Sequence, residues 1–267
     1  MKRPIITLLT DFGTSDHYVA AMKGVILGIC PDAELIDITH DITPYAIAEG
    51  AYTLAQAWRC FPKGTTHLAV VDPGVGSKRR AILAECDSHR FVAPDNGLLS
   101  LSLRDFPSAT IREISEPRFF RDTVSRTFHG RDIFAPVSAH LARGTAPKRF
   151  GNVIKDTIHQ DFSPVLQQKS GNWGASILKI DRFGNVITNL ESEKFSHVST
   201  GRFRIQIGRR TVNTFHHAYA EARPGQIFVV FGSSGFIELS ANQADAAKML
   251  GVKAGFPITL RLLGTPY

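Results

Sequence analysis

Apolar positions in the first half of the chain follow two alternating rhythms. Short continuous runs such as Ile5-Ile6-Thr7-Leu8-Leu9 and Leu68-Ala69-Val70-Val71 read as buried strands. Between them, Val19, Met22, Val25, Ile26 and Ile29 fall on one face at helical spacing. In chain order the pattern predicts a strand from Ile5 to Thr10, a helix stopped by Pro31-Asp32, and a strand from Glu34 to Thr39. Thr43-Pro44 then reads as an N-cap followed by proline at the first helical position, opening an Ala-rich helix from Tyr45 to Cys60. Strands at 66–71, 80–86 and 90–93, a short helix from near Asn96 and a strand at 109–114 follow. Phe128-His129-Gly130-Arg131-Asp132 opens a helix that runs through Leu141. Such alternation predicts a mainly parallel α/β sheet covered on both faces, an α/β/α sandwich.

The character changes after about residue 150. Asn152 to Gly174 is polar and reads as a linker, with Gln167, Gln168, Lys169, Ser170 and Gly171 together. Beyond Trp173 come runs at 175–180, 185–189, 202–207, 211–216, 226–231, 235–240 and 257–263, with a short helix between Asn242 and Leu250. Closely spaced turns between short strands predict a smaller, all-β, barrel-like or sandwich domain. Two domains are therefore expected, 1–160 and 173–267. There is no internal repeat.

Composition narrows the function classes. The 267 residues are 43% hydrophobic, enough for a sizeable core. No apolar run approaches the roughly 20 residues that span a bilayer. The start, Met1-Lys2-Arg3-Pro4, passes directly into a strand without the apolar stretch of a signal peptide, so a cytoplasmic address is expected. Cys30, Cys60 and Cys86 are far apart and are expected to be buried reduced thiols. The net charge of +7 permits attraction to nucleic acid. The densest basic group, Arg202, Arg204, Arg209 and Arg210, lies on alternate positions of a strand and reads instead as a solvated face. Neither a nucleic-acid partner nor a membrane is expected.

Candidate chemistry concentrates at strand ends, where open α/β sheets bind ligands. Asp72 ends the run Leu68–Val71, and a Pro73-Gly74-Val75-Gly76 turn leads to Arg79 and Arg80. With His129 they can form a carboxylate–cation–imidazole group that holds and polarises a water. The alternative for the turn is a β-turn capped by Asp with solvated arginines. Adjacent arginines on a strand point opposite ways, so only one faces the site. Metal ligation by Asp and His ranks below metal-free chemistry, because HxH, HExxH and Cys-rich spacings are absent. Asp11 ends the first strand and can accept two hydrogen bonds from a ribose diol. Asp16 reads equally as a ligand or as a first-turn helix carboxylate favouring the macrodipole. The phosphate cradles GxGxxG and GxxxxGK[ST] are missing, so a nucleoside is easier to accept than a dinucleotide. In Asp181-Arg182-Phe183-Gly184-Asn185, Phe183 can stack on a purine and Asn185 can read its edge. The same residues also suit a plain hairpin turn. Gly232-Ser233-Ser234-Gly235 reads as a backbone turn that can bind a ligand. His40-Asp41 and His216-His217 read as isolated surface or loop residues.

Six stretches, taken together, resemble the S-adenosylmethionine hydrolases (hydroxide adenosyltransferases), relatives of fluorinase and chlorinase. They are Thr10-Asp11-Phe12-Gly13, Val71-Asp72-Pro73-Gly74-Val75-Gly76, Pro94-Asp95-Asn96-Gly97, Phe128-His129-Gly130-Arg131-Asp132, Asp181-Arg182-Phe183-Gly184-Asn185, and Gly232-Ser233-Ser234-Gly235 with Asn242. They run in the family's order over nearly the whole chain. The resemblance implies hydrolysis of S-adenosylmethionine to adenosine and methionine, with Asp72, Arg79 and His129 activating water. It implies Asp11 at the ribose diol, Asp16 near the methionine amine and Tyr45 beside the ligand. Phe128 and Gly130 belong to the same pocket. Asp181 and Ser233 fall toward the methionine end, Phe183 and Asn185 toward the adenine, and Asn242 belongs to the same substrate pocket. It implies no cofactor beyond the substrate, and a homotrimer whose sites lie where one subunit's first domain meets a neighbour's second. The family register selects Arg79 over Arg80. The halogenases of the family carry tyrosine, threonine and serine where this chain has Asp72, Val75 and Gly130. A carboxylate there repels halide and tolerates water, which favours hydrolysis. A chloride adenosyltransferase and a non-catalytic adenosine-binding protein are the competing expectations.

Overall fold

A computed structural model describes residues 3–160, 165–168 and 171–263. The chain divides into two compact units, Met1–Gln160 and Asp161–Tyr267.

In the first unit, β1 (Ile5–Thr10), α1 (Tyr18–Ile29), β2 (Glu34–Thr39), α2 (Ile47–Ala57), β3 (Thr66–Val70), β4 (Ala81–Cys86), β5 (His89–Pro94), α3 (Ser100–Leu103), β6 (Thr110–Glu113) and α4 (Ala135–Ala142) follow in order. They form a six-stranded sheet, β2-β1-β3-β5-β4-β6. β2, β1, β3 and β5 pair in parallel, and β4 runs antiparallel to both of its neighbours. All of β3, and β1 from Ile6 to Thr10, are buried, which is why these strands read as unbroken apolar runs. α4 packs on α1 and on β1 and β3. Ile6, Leu8, Met22, Ile26, Leu68, Phe134 and Phe150 belong to the core beneath.

The second unit contains β7 (Leu166–Gln167), β8 (Asn172–Ile180), β9 (Val186–Glu191), β10 (Arg202–Ile207), β11 (Arg210–Val212), β12 (Ile227–Phe231), β13 (Phe236–Ala241), α5 (Ala246–Leu250) and β14 (Pro257–Leu263). The antiparallel path is β11-β10-β14-β8-β9-β13-β12, with β7 added to β8. A bridge from Phe215 to Val229 draws the chain after β11 onto β12, so the two ends of the path meet and the sheet nearly closes into a barrel. β10 alternates exposed and buried positions, so Arg202 and Arg204 lie on a solvated face as expected.

Several local expectations need correction. Thr43 does not cap a helix: α2 begins at Ile47 behind Ala46, and Tyr45 adopts φ +69°. That left-handed residue turns the chain before the helix can start, and the Thr43 N–H goes to the Glu49 carboxylate at 3.1 Å. Cys60 is exposed, whereas Cys30 and Cys86 are buried. His40 is buried rather than on the surface. The short helix after Asn96 begins only at Ser100. The strand expected at 211–216 ends at Val212, and the helix expected from Asn242 is confined to Ala246–Leu250. The segment 152–160 is not a linker. Ile154 N–H bonds to Ile111 C=O at 2.9 Å, Ile158 N–H to Asp95 at 2.9 Å and Gln160 N–H to Ser100 at 3.0 Å, all within the first unit. Its polar composition hid a segment held by backbone hydrogen bonds. Lys169 and Ser170, part of that expected linker, lie outside the described residues.

Candidate active site

The carboxyl edge of the parallel strands gathers the first group. Register pairs Thr10 of β1 with Val70 of β3, so Asp11 and Asp72 leave neighbouring strands at the same edge. After Asp72 the chain folds into a tight turn in which Val75 N–H bonds to Asp72 C=O at 3.2 Å and Ser77 N–H to Gly74 C=O at 3.1 Å. Gly76 sits at φ +76°, and a Cβ there would lie 2.3 Å from the Arg126 carbonyl oxygen, so no other residue fits.

The turn brings Arg79 back onto Asp72. Arg79 Nε lies 2.9 Å from each Asp72 carboxylate oxygen, and Nη2 donates to Oδ2. Both side chains are buried, Arg79 8% and Asp72 4% exposed. Nη2 also reaches His129 Nδ1 at 2.9 Å. Arg79 stacks over the Phe134 ring at 5.1 Å, which covers the guanidinium from below. His129 stands at the entrance of a π-turn, Gly130–Phe134, that runs into α4. Burial, reinforced by the Arg79 cation, pushes the His129 imidazole below its ordinary pKa of 6.5. The three residues thus form one hydrogen-bonded group. Arg80 turns away to Asp95 and Asp156.

Asp11 lies beside this group. Its Oδ2 accepts the Tyr45 N–H at 2.8 Å. Burial raises its pKa, and the Asp72 charge adds to that, while the Tyr45 hydrogen bond opposes it. The left-handed Tyr45 backbone is what aims this N–H at Asp11, and its ring is 72% exposed. Thr10 Oγ1 accepts the Phe12 N–H at 3.3 Å and contacts His40 Nδ1 at 2.8 Å, while His40 Nε2 lies 3.0 Å from Asp37. Gly13 N–H bonds to the His40 carbonyl at 2.8 Å. This brace under the Asp11 loop was hidden in the sequence, because His40 follows β2 with no local signal of burial. Phe12, Tyr18 and Phe128 form an aromatic cluster with centroids 5.0–6.0 Å apart. Gly130 faces it: a Cβ there would lie 3.2 Å from Met22 Sδ and 3.3 Å from the Phe12 and Phe128 rings. Phe12 was seen only as part of the Thr10-Asp11-Phe12-Gly13 stretch, and Tyr18 was missed because a lone aromatic carries no motif. Asp16 is exposed and precedes α1, outside its first turn.

The second unit holds a cavity of about 570 Å³ lined by Asp181, Phe183, Asn185, Tyr219, Ala241, Gln243 and Ala244. Asp181 Oδ1 accepts the Phe183 and Asn185 N–H groups at 2.9 and 2.8 Å, and Oδ2 accepts Asn185 Nδ2 at 2.8 Å. Gly184 at φ +86° packs on Asp245, 2.3 Å from where a Cβ would stand. The turn therefore fixes Asn185 with its amide donor on Asp181 and leaves Phe183 78% exposed at the rim. Tyr219 and Gln243 are additions that sequence reasoning missed. Burial, with the Glu238 charge, pushes the Tyr219 phenol to about 12, so it stays a protonated donor. Ser233 is exposed in the β12–β13 turn. Asn242 is committed to structure, its Nδ2 donating to the Ala222 carbonyl at 2.7 Å.

Residues 6–151 match the SAM hydroxide adenosyltransferase N-terminal domain, and residues 175–259 match the C-terminal domain of the same name. The chain belongs to the SAM hydroxide adenosyltransferase family. A relative from Thermus thermophilus named (R)-S-adenosyl-L-methionine hydrolase is 36% identical over 266 residues, covering 97% of this chain and 99% of its own length. A fluorinase from Nocardia brasiliensis is more distant, 27% identical over 294 residues, with 98% of each chain covered. The crystal structure of an uncharacterized conserved protein from Thermotoga maritima superposes with a TM-score of 0.88 at 36% identity, covering 96% of this chain and 99% of that one. Within this member of the hydroxide adenosyltransferase family, no three or more His, Cys, Asp or Glu side chains are grouped to hold a metal among the described residues. No described helix is long and apolar enough to cross a membrane.

Proposed function

We propose that this chain hydrolyses S-adenosyl-L-methionine to adenosine and L-methionine. The observation that carries the reading is the buried Asp72–Arg79–His129 group on the strand edge that also presents Asp11. Sulfonium departs as a neutral thioether, so the reaction needs alignment and an activated water rather than an acid for the leaving group. Water adds to ribose C5′ as the C5′–S bond breaks, the bonding pair leaves with sulfur, and the water's extra proton is released. Asp72 holds the water and draws its proton, Arg79 steadies the hydroxide-like charge, and His129 orients the nucleophile. Asp11 accepts the ribose hydroxyls. Asp181 and Ser233 supply the methionine contacts with Asp16 near its amine, Phe183 and Asn185 supply the adenine contacts, and Tyr45 lies beside the ligand.

The active assembly in this reading is a cytoplasmic homotrimer, each site completed by the second unit of a neighbouring copy. No cofactor or metal takes part, since S-adenosylmethionine is the substrate. The name of the Thermus thermophilus hydrolase carries the prefix (R), and the same sulfonium epimer is the preferred substrate here. The test is chromatography of products from each epimer, with and without chelator and chloride. Equal adenosine and methionine, insensitive to chelator, support hydrolysis. 5′-Chloro-5′-deoxyadenosine would make the protein a halide transferase, and nucleoside binding without turnover would make it a binding protein.

A further inference from the structure

We propose that the turn after β5, Pro94-Asp95-Asn96-Gly97, positions the Asp72–Arg79 pair, with Asn96 and Asp95 as its two pins; the inference rests on the hydrolytic reading above. Asn96 Nδ2 donates to the Val71 carbonyl at 2.8 Å, the peptide immediately before Asp72. Its Oδ1 accepts the Leu98 N–H at 3.2 Å, which sets which way the amide faces. Asp95, its side chain 3% exposed, accepts Arg80 Nε and Nη2 on Oδ2 at 3.0 and 2.8 Å and the Ile158 N–H on Oδ1 at 2.9 Å. Its own N–H bonds to the Arg80 carbonyl at 2.9 Å. The residue before Asp72 and the residue after Arg79 are thus held by two consecutive residues of one turn.

The consequence for the site is geometric and electrostatic. Neighbouring side chains on an extended strand point to opposite faces. Anchoring Arg80 on Asp95 sends Arg79 toward Asp72 and keeps a second guanidinium from competing for that carboxylate. β3 and β5 are adjacent parallel strands, and β4 enters antiparallel with Ala81 opposite Pro94. One turn can therefore reach both ends of the Asp72–Arg79 loop. Gly97, at φ +91°, lets the Gln160 side chain close over the turn, with its Cγ 2.6 Å from where a Cβ would stand. A displacement of about 1 Å in a reacting group costs about 100-fold in rate, so pins that touch no substrate still matter.

Two variants separate positioning from general support. Asn96→Asp keeps the acceptor for Leu98 N–H and removes the donor to Val71. Asp95→Asn keeps shape and removes the charge that holds Arg80. Each is expected to lower kcat about 10- to 100-fold with KM within about threefold, at unchanged folded fraction by circular dichroism. Asp156→Asn, at the 79%-exposed outer contact of Arg80, is the control and stays within about twofold of wild type. The second readout is the His129 imidazole titration by NMR, a ring faced by Arg79, Asp72 and Asp132. Loosening Arg79 moves that titration upward in both pinned-turn variants but not in Asp156→Asn. Normal kcat per folded molecule together with an unmoved titration overturns the inference. If wild type shows no turnover, the hydrolytic reading fails by itself. The NMR shift then decides positioning: a shift upholds it, and its absence overturns it. Should one variant fail to fold, the other decides by the same criteria.

Discussion

Arg79 Nη2 donates a hydrogen bond to His129 Nδ1 over 2.9 Å, and that contact dictates the chemistry of the imidazole. A guanidinium has no acceptor, so Nδ1 must be unprotonated and the neutral ring carries its proton on Nε2. Protonating Nδ1 would set two donors against each other beside a cation. His129 therefore works as a neutral ring whose Nε2–H can orient a water. Burial and the Arg79 charge hold its pKa below 6.5, so the working form persists as pH falls past that value. The expected pH profile of kcat keeps its plateau below pH 6.5 and loses activity only as His129 takes a proton. An NMR titration of the His129 ring that placed its pKa above 6.5 would contradict this.

Asp72→Ala is expected to reduce hydrolysis by about 10²- to 10⁴-fold while calorimetry still detects nucleoside binding. The same change leaves the Arg79 guanidinium, 8% exposed, without its carboxylate. Stripping one partner from a buried pair costs about 3–5 kcal/mol, so chemical denaturation should show a marked loss of stability. Binding retained with turnover lost assigns Asp72 to the chemical step. Binding and fold lost together would leave it a structural residue only.

Gly130→Ser tests the wall of the pocket. A Cβ at 130 meets Met22 Sδ at 3.2 Å and the Phe12 and Phe128 rings at 3.3 Å, so the cluster must give way by a few tenths of an ångström. Overpacking of this kind costs about 1–3 kcal/mol, read as a lower denaturation midpoint. Chloride transfer should not appear, because Asp72 remains to repel the halide. Detection of 5′-chloro-5′-deoxyadenosine from this variant would show that the wall, not the carboxylate, selects the nucleophile.

The buried strands and the helix faces were legible because period and run length report burial directly. Asp72 was legible because it ends such a run. The choice between Arg79 and Arg80 was not legible in the strand alternation, which both fit equally, and only the family register selected Arg79. It depends on Asp95, in the turn after β5, which meets Arg80 only because β4 and β5 pair in the sheet. His40 escaped notice for a similar reason: its partners Thr10 and Asp37 come from two strands whose pairing no local pattern reveals. Tyr45 misled because Thr43-Pro44 is a good helix start in isolation. The tertiary contact of its N–H with Asp11 overrides that signal.

Phe183→Ala should separate binding from chemistry. The ring is 78% exposed at the mouth of the second-unit cavity, and Asp181 fixes its backbone. Its removal costs little stability but takes away a stacking platform. Base–aromatic stacking contributes about 1–3 kcal/mol, so adenosine affinity should fall about 5- to 150-fold by calorimetry. KM should rise with kcat nearly intact, because Phe183 lies far in the chain from the water-activating group and contributes no titrating atom. A fall in kcat at saturating substrate would instead mean that stacking aligns C5′ for substitution.

Acid stability should be governed by a buried histidine pair remote from the site. His67 is fully buried, with Nδ1 2.8 Å from Thr7 Oγ1 and Nε2 3.1 Å from His89 Nδ1. It stacks on Phe91 at 4.9 Å and meets the Trp58 and Phe61 rings edge-on. Burial, then the neighbouring His89, lowers its pKa to about 3. Burial also lowers His89. The unfolded chain, titrating near 6.5, binds protons that the folded chain refuses. Stability is therefore full above pH 6.5 and declines as pH falls toward 3, with a slope of up to about 1.4 kcal/mol per pH unit for each histidine. Urea denaturation at pH 7.5 and pH 5.0 measures that slope. His67→Phe keeps the ring in the aromatic stack and removes the titrating group. It should lower stability at pH 7.5 by about 1–3 kcal/mol through the unpaired Thr7 and His89 groups, and it should flatten the pH dependence. A slope unchanged in His67→Phe would assign the acid sensitivity to other imidazoles that burial holds below 6.5, such as His89 and His140. Carboxylates such as Asp132, whose pKa Arg131 and the Ser125 N–H hold down against burial, lose their contribution only below the ordinary 3.8, so they do not enter a comparison of pH 7.5 with pH 5.0.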